Sequence, residues 1–201
     1  TVPLCTGIDI DGMSARANMN VASLKDWHHV IDWAFDTYGP RAIATKYQCA
    51  YERALNFDRV KTSDAAPLFE QYMKKGRHDM RPEEFKALQD HHFHYCIDRA
   101  ADHDLVVKLH TGYYAGHGSM PLSRLRTNAS DCCDLLMAHK NARFDFFHID
   151  YPYQDEMVAI AKQHPNAYVD MCWAWIINPT ACVRFLKEFI TAAPANKLVT
   201  F

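Results

Sequence analysis

Lys46, His110, His148 and the pair Asp170 and Trp173 are the residues of this sequence best placed to do chemistry. Each sits at or near the end of a short apolar run: Ala42-Ile-Ala-Thr-Lys46, Leu105-Val-Val-Lys-Leu-His110, Phe144-Asp-Phe-Phe-His148 and Ala167-Tyr-Val-Asp-Met-Cys-Trp173. A neutral imidazole can ligate a metal or move a proton near neutral pH. A lysine can act as a charge or a nucleophile, and a carboxylate as a base. Each has a plainer reading too. His110 or His148 could simply bond a backbone carbonyl, Lys46 could snorkel to the surface, and Asp170 could face either side of its strand.

The elements that must position these residues follow from the pattern around them. Apolar runs bounded by turn signals read as buried strands of a parallel sheet. Thr111 and Gly112 close the run that ends on His110. Further strands are expected at Ala42–Lys46, Phe144–Ile149, Ala167–Trp173 and Lys197–Phe201, with a sixth at Leu4–Asp11. Helices fall between them. Ser23 caps a helix whose Leu24, Trp27, Ile31, Ala34, Phe35 and Tyr38 recur at helical spacing, and Gly39-Pro40 stops it. Pro82 opens a second, to about Asp102. Others span about Ser130–Lys140, Gln154–Gln163 and Asn178–Ala193, while residues 47–81 read as a long connection with some helix in it. Strict alternation means βαβ units. One unit per roughly 30 residues is the pace of a (β/α)8 TIM barrel, whose usual length is about 250 residues. The fold class is therefore α/β. We expect an incomplete barrel of about strands 3 or 4 to 8, forming one domain over residues 1–201 of a longer protein.

Composition narrows the class. The chain is 49% hydrophobic with a formal net charge of −2, so nothing marks a nucleic-acid or anionic-membrane partner. No apolar run approaches the roughly 20 residues of a membrane span. Seven cysteines, none in a C-x-x-C pair, suit reduced thiols and a cytoplasmic location. Among the 12 histidines, His91-His92-Phe93-His94 contains a His-x-His, but within a helix. Two residues there are about 200° apart around the axis, so we expect a partly exposed face and no metal site. His28 and His29 read the same way. His103, His139 and His164 fall near helix ends, and His117 is a candidate loop residue.

The ordered motifs resemble the amidohydrolase superfamily, in the branch of metal-dependent hydrolases, decarboxylases and uronate-isomerase-like proteins. Val-Lys-Leu-His110-Thr-Gly-Tyr resembles its fifth strand, and Phe-His148-Ile-Asp-Tyr-Pro152 its sixth. Asn166 to Trp173 resembles the seventh, Lys197 to Phe201 the eighth, and Ala-Thr-Lys46 with Ala50-Tyr51-Glu-Arg53 the fourth. The resemblance covers about residues 42–201. It implies His110 as a metal ligand and His148 as a residue that binds substrate or positions water. Lys46 would hold the fourth-strand catalytic position. The family's strand-one His-x-His has no strand-borne counterpart here, and the eighth-strand Asp would fall just after Phe201.

The function so implied is a metal-dependent hydrolase cleaving a C–N or C–O bond of a small polar substrate. Zinc is the first expectation for the divalent metal, with manganese or iron as alternatives. Tyr51, Arg53, Tyr113, Tyr151 and Trp173, with Arg126, are expected to line the substrate site. The alternatives are a metal-dependent decarboxylase or isomerase on the same barrel, a Lys46 Schiff-base aldolase, and a non-catalytic barrel fragment. A small molecule is the expected partner, and a homo-oligomer is compatible with the sequence.

Overall fold

The computed structural model describes residues 9–116, 122–127 and 129–200. They form two compact units, residues 9–45 with 57–105, and residues 46–56 with the described residues from 106 to 200.

The first unit is helical. α1 (Ile10–Ala17) starts where the Asp9 carboxylate accepts the Gly12 N–H at 3.0 Å. This corrects the strand expected at Leu4–Asp11. Residues 4–8 lie outside the described residues, but from Ile10 the chain is helix, and Ile10 and Met13 are buried three residues apart, on one helix face. α2 (Leu24–Tyr38) carries a capping box, Ser23 with Asp26, and buries Trp27, Val30, Ile31 and Phe35. Two long helices follow, α3 (Thr62–Lys75) and α4 (Pro82–Asp102).

α4 departs from expectation. His91, His92 and His94 are 7%, 3% and 7% exposed, so the partly exposed face is buried. Side chains 200° apart can both be buried when a helix is covered on two sides. Trp27 of α2 donates its indole N–H to His92 Nδ1 at 3.3 Å, and His28 meets His91. The segment before α3 supplies carbonyls, Val60 to His91 and Phe57 to His94.

The second unit holds the sheet. Its five strands run in the order β1 (Ala44–Tyr47), β2 (Val106–His110), β3 (Arg143–Phe147), β4 (Ala167–Asp170) and β5 (Leu198–Val199), with β2 to β5 parallel; β1 begins in the first unit. Consecutive order and parallel pairing are the barrel topology. Sheet residues Leu109, Phe144, Phe146 and Val169 are fully buried on one face, and His110, Asp145 and Asp170 on the other face are buried too, as expected of a sheet covered on both faces. Between strands lie α5 (Cys133–Ala138), α6 (Gln154–Gln163), α7 (Ala174–Ile177) and α8 (Pro179–Ala192). Asn178 caps α8 through the Ala181 N–H at 3.1 Å. The buried Lys197 ammonium donates to the Ala161 and His164 carbonyls, 2.7 and 2.6 Å away, at the C-terminal end of α6, where helix carbonyls lack an intrahelical partner. β4 is shorter than predicted and leaves Trp173 in the following turn. Among the described residues no helix is long and apolar enough to cross a membrane.

Candidate active site at the strand ends

Register decides what meets here. His110 pairs laterally with Phe147, Phe147 with Asp170, and Asp170 with Val199. The carboxyl end of β2 therefore lies level with that of β3, and His148 follows one residue later. The two imidazoles come together with ring centroids 4.7 Å apart, edge to face. His110 is 1% and His148 6% exposed.

Backbone carbonyls fix both rings. His110 Nε2 lies 3.0 Å from the Tyr113 carbonyl, and His148 Nδ1 lies 2.8 Å from that of Cys172. A carbonyl can only accept, so these nitrogens carry the protons and donate. Nδ1 of His110 and Nε2 of His148 are left as lone-pair nitrogens. Burial, with the neighbouring His148 and Lys46, pushes His110 down to about 3. His148 is lowered as well, by burial first and Lys46 also, against the Cys172 carbonyl and Asp170. Both are neutral, ligand-competent imidazoles at physiological pH.

A strained turn delivers His148. It and the next two residues, Ile149 and Asp150, have φ of 67°, 52° and 55°, a left-handed run without a glycine. Gly112, at φ 67°, packs against this turn. A Cβ there would lie 2.5 Å from the Asp150 carbonyl carbon and 2.6 Å from the Tyr151 oxygen. Thr111 helps to hold the same corner by donating its hydroxyl to the Phe147 carbonyl at 2.7 Å. Asp150 is 1% exposed and neither carboxyl oxygen has a hydrogen bond of ordinary geometry. Burial raises its pKa well above the usual carboxylate range, only partly offset by the amides of Gly112 and Ala129.

Of the other expected residues, Lys46 is half-buried, its ammonium 4.7 Å from the Phe147 ring centre. Tyr51 packs on His110 at 4.6 Å, and Trp173 on His148 at 5.0 Å. Tyr113 lies 6.3 Å from both Tyr151 and Trp173. The imidazoles are thus framed by aromatic rings. Arg53 faces elsewhere with at least two of its N–H groups, which bond the Ala54 and Asn56 carbonyls of its own loop. His117 and the Arg126 side chain lie outside the described residues.

The sequence reading passed over Lys108 and Asp145. Lys108 precedes His110 by two residues, on the same face of β2, and lies opposite Asp145. Its ammonium is 3.3 Å from Asp145 and 3.6 Å from Asp170. Burial and Asp170 push Asp145 up to about 6, against the pull of Lys108. A lysine interrupting an apolar strand two residues before a candidate histidine was the available signal. Among the described residues, no group of three or more His, Cys, Asp or Glu is arranged to hold a metal. The donor set at the strand ends is the pair His110 and His148.

The sequence profile of a family described as amidohydrolase matches residues 50–199. No curated protein sequence matches the chain significantly. A putative metal-dependent hydrolase from Lactobacillus casei superposes with a TM-score of 0.70 at 20% identity, over 90% of this chain and 48% of its own. A uronate isomerase from Thermotoga maritima does so at 0.72 and 13%, over 90% and 42%. A glucuronate isomerase from Caulobacter crescentus gives 0.72 and 16%, over 94% and 42%. At these identities the likeness is one of fold, and the chain spans just under half the length of those structures.

Proposed function

The chain belongs to the amidohydrolase family, and from that premise we propose that it serves a metal-dependent hydrolase that cleaves a C–N or C–O bond of a small polar substrate. One observation carries the reading. Two buried neutral imidazoles meet at the carboxyl ends of adjacent parallel strands, and each uses one nitrogen on a backbone carbonyl and keeps the other as a lone pair. A carbonyl accepting from the far nitrogen is the usual support of a metal-ligating histidine. The donors suit Zn²⁺ first, with Mn²⁺ or Fe²⁺ as alternatives.

His110 would hold the ion through Nδ1. The chemistry a divalent ion supplies there is Lewis acidity, which polarises a carbonyl and makes water more acidic. His148 Nε2 takes up a proton beside the reacting bond. Lys46 adds positive charge near both rings, which favours a carboxylated substrate. Tyr51, Tyr113, Tyr151 and Trp173 provide apolar faces on which to seat it. Turnover of a panel of small amides, esters and lactones by the whole protein, before and after chelation, tests this. Activity lost on chelation and restored by Zn²⁺ or Mn²⁺ is expected. Full activity in the metal-free protein overturns the reading.

Isomerisation of a sugar acid is the second reading. Asp145, with a carboxyl at about 6 one step below His110, can give or take a proton near neutrality, as that chemistry requires. The names of the Thermotoga and Caulobacter proteins point the same way. Product analysis with uronates separates the two.

A further inference from the structure

Two imidazoles of the first unit take no part in the strand-end site. We propose that His28 and His91 form a separate site for a transition-metal dication of the Zn²⁺, Cu²⁺ or Ni²⁺ class. The inference stands on the first unit alone and does not rest on the function proposed above.

His28 Nε2 and His91 Nε2 are 3.1 Å apart, with ring centroids 5.2 Å apart and planes tilted by 32°. Two imidazole nitrogens bound to one ion at roughly 2.0–2.1 Å lie about 2.8–3.4 Å from each other, for bond angles from square to tetrahedral. The observed separation falls in that window. The rings now meet nearly head to head, as for one shared proton. A small rotation of each, with the His28 proton moved from Nε2 to Nδ1, aims both Nε2 lone pairs at one ion.

Both rings are oriented in advance. His91 Nδ1 donates to the Val60 carbonyl at 2.9 Å, which leaves Nε2 as the lone-pair nitrogen and gives the carbonyl support typical of ligating histidines. His28 is stacked on Tyr95, centroids 3.9 Å apart and planes within 4°. Tyr95 is anchored in turn by donating its hydroxyl to the Asp32 carboxylate at 2.9 Å. A cleft of about 400 Å³ opens at His91, lined also by Arg59, Lys61, His94, Tyr95 and Asp98. His28 is not among its lining residues, so the cleft reaches the pair from the His91 side. On α4, residues 91, 94, 95 and 98 form one stripe, which lines the cleft together with residues 59–62. With no cluster of three ligating side chains among the described residues, water or a donor group entering the cleft completes the coordination.

Anomalous diffraction from crystals of the untagged whole protein grown with CuCl₂ locates the ion without any substitution. A peak within bonding distance of both Nε2 atoms is expected, and its absence overturns the proposal. In solution, Cu²⁺ binding and its electron paramagnetic resonance spectrum are followed in a His110→Ala, His148→Ala background, which silences the strand-end pair. Coupling to two nitrogens is expected. His28→Phe, which keeps the ring on Tyr95, and His91→Gln should each weaken Cu²⁺ binding at least tenfold, while the exposed His29→Gln changes nothing. Equal Cu²⁺ affinity in the background and in His28→Phe overturns the site.

Discussion

Each unit presses two imidazoles together, one pair held by helices and the other by strand ends. They differ in what the second ring nitrogen does. In α2 and α4, nitrogen meets nitrogen at 3.1 Å, so each ring satisfies the other. At the ends of β2 and β3, the rings meet edge to face, and each nitrogen that carries a proton gives it to a carbonyl. Backbone is the cause. Carbonyls inside a helix are already bonded, so His91 must find its acceptor in another segment, at Val60. A strand that ends in a turn frees carbonyls close by, at Tyr113 and Cys172. The strand-end pair therefore keeps two lone pairs beside a frame of aromatic rings, which is what a reactive site needs. The helical pair is, in its resting state, a clasp.

The sharpest way to break this contrast is to remove the rings one at a time. In the whole protein, His110→Ala is expected to strip the metal from the strand-end site. His148→Ala should retain metal and lose about 10²–10⁴ in turnover, the range for a lost proton-transfer group. His28→Phe should leave turnover unchanged. Metal analysis beside steady-state rates checks all three, and equal metal loss in both strand-end variants would point to a two-ion site.

Next in size are the cores under each pair. Trp27, 1% exposed beneath the helical imidazoles, and Phe146, fully buried in β3, should each cost about 3–5 kcal/mol on truncation to alanine. Urea unfolding read by hydrogen exchange should show loss of protection first in α2 and α4 for Trp27→Ala, and first in β2 to β4 for Phe146→Ala. Uniform loss in both variants would mean that the units are not separately cooperative. Gly112→Ala comes third. A left-handed position and a clash with fixed backbone put its cost at about 1–3 kcal/mol or more, with His148 displaced. Its Tm should fall, and metal binding should fall with it.

The smallest effect is the response to acid. His28 is lowered to about 4, by burial first and then by the other histidines, and His94 is lowered as well. Their folded pKa values lie below the unfolded 6.5, so the unfolded chain binds more protons. Stability present above pH 6.5 is lost as pH falls toward 4, with a slope of at most about 1.4 kcal/mol per pH unit for each whole proton taken up on unfolding. In the second unit His110 follows the same sign, but Asp145 and Asp150 have raised values and act in reverse, losing stability as pH rises. The terms offset one another there. Amides of α2 and α4 should lose protection near pH 5 before those of β2 to β4, as exchange mass spectrometry would show. Simultaneous loss would sink this account.

Much of the second unit was legible because its strands are apolar runs closed by turns. Leu105 to His110 and Phe144 to His148 announce both the sheet and the residues at its ends. Asn178-Pro179 announces α8. What escaped the sequence was pairing across distance. Nothing local says that Lys108 will meet Asp145 and Asp170, or that the Cys172 carbonyl will take the His148 proton. α1 was misread because Ile8-Asp9-Ile10-Asp11 alternates like a strand, although Asp9 followed three residues later by a glycine amide fits a cap equally well. The buried histidines of α4 were misread because angular separation reports direction, whereas exposure depends on how many sides of a helix are covered.

The left-handed run at His148, Ile149 and Asp150 bears on how portable this site is. Each such residue costs about 1–2 kcal/mol in an L-chain, and the buried, β-branched Ile149 is among the least suited to it. The conformation persists because Gly112 on the neighbouring loop leaves room and the surrounding core enforces it. Grafting His148 alone onto the end of another parallel strand would let the backbone relax to its ordinary region and swing the imidazole away from its partner. The transferable module is two loops wide: Gly112 to Tyr113 from one, and His148 to Tyr151 from the other. Enzyme designers who copy the histidines without that module would reproduce the ligands and lose their aim.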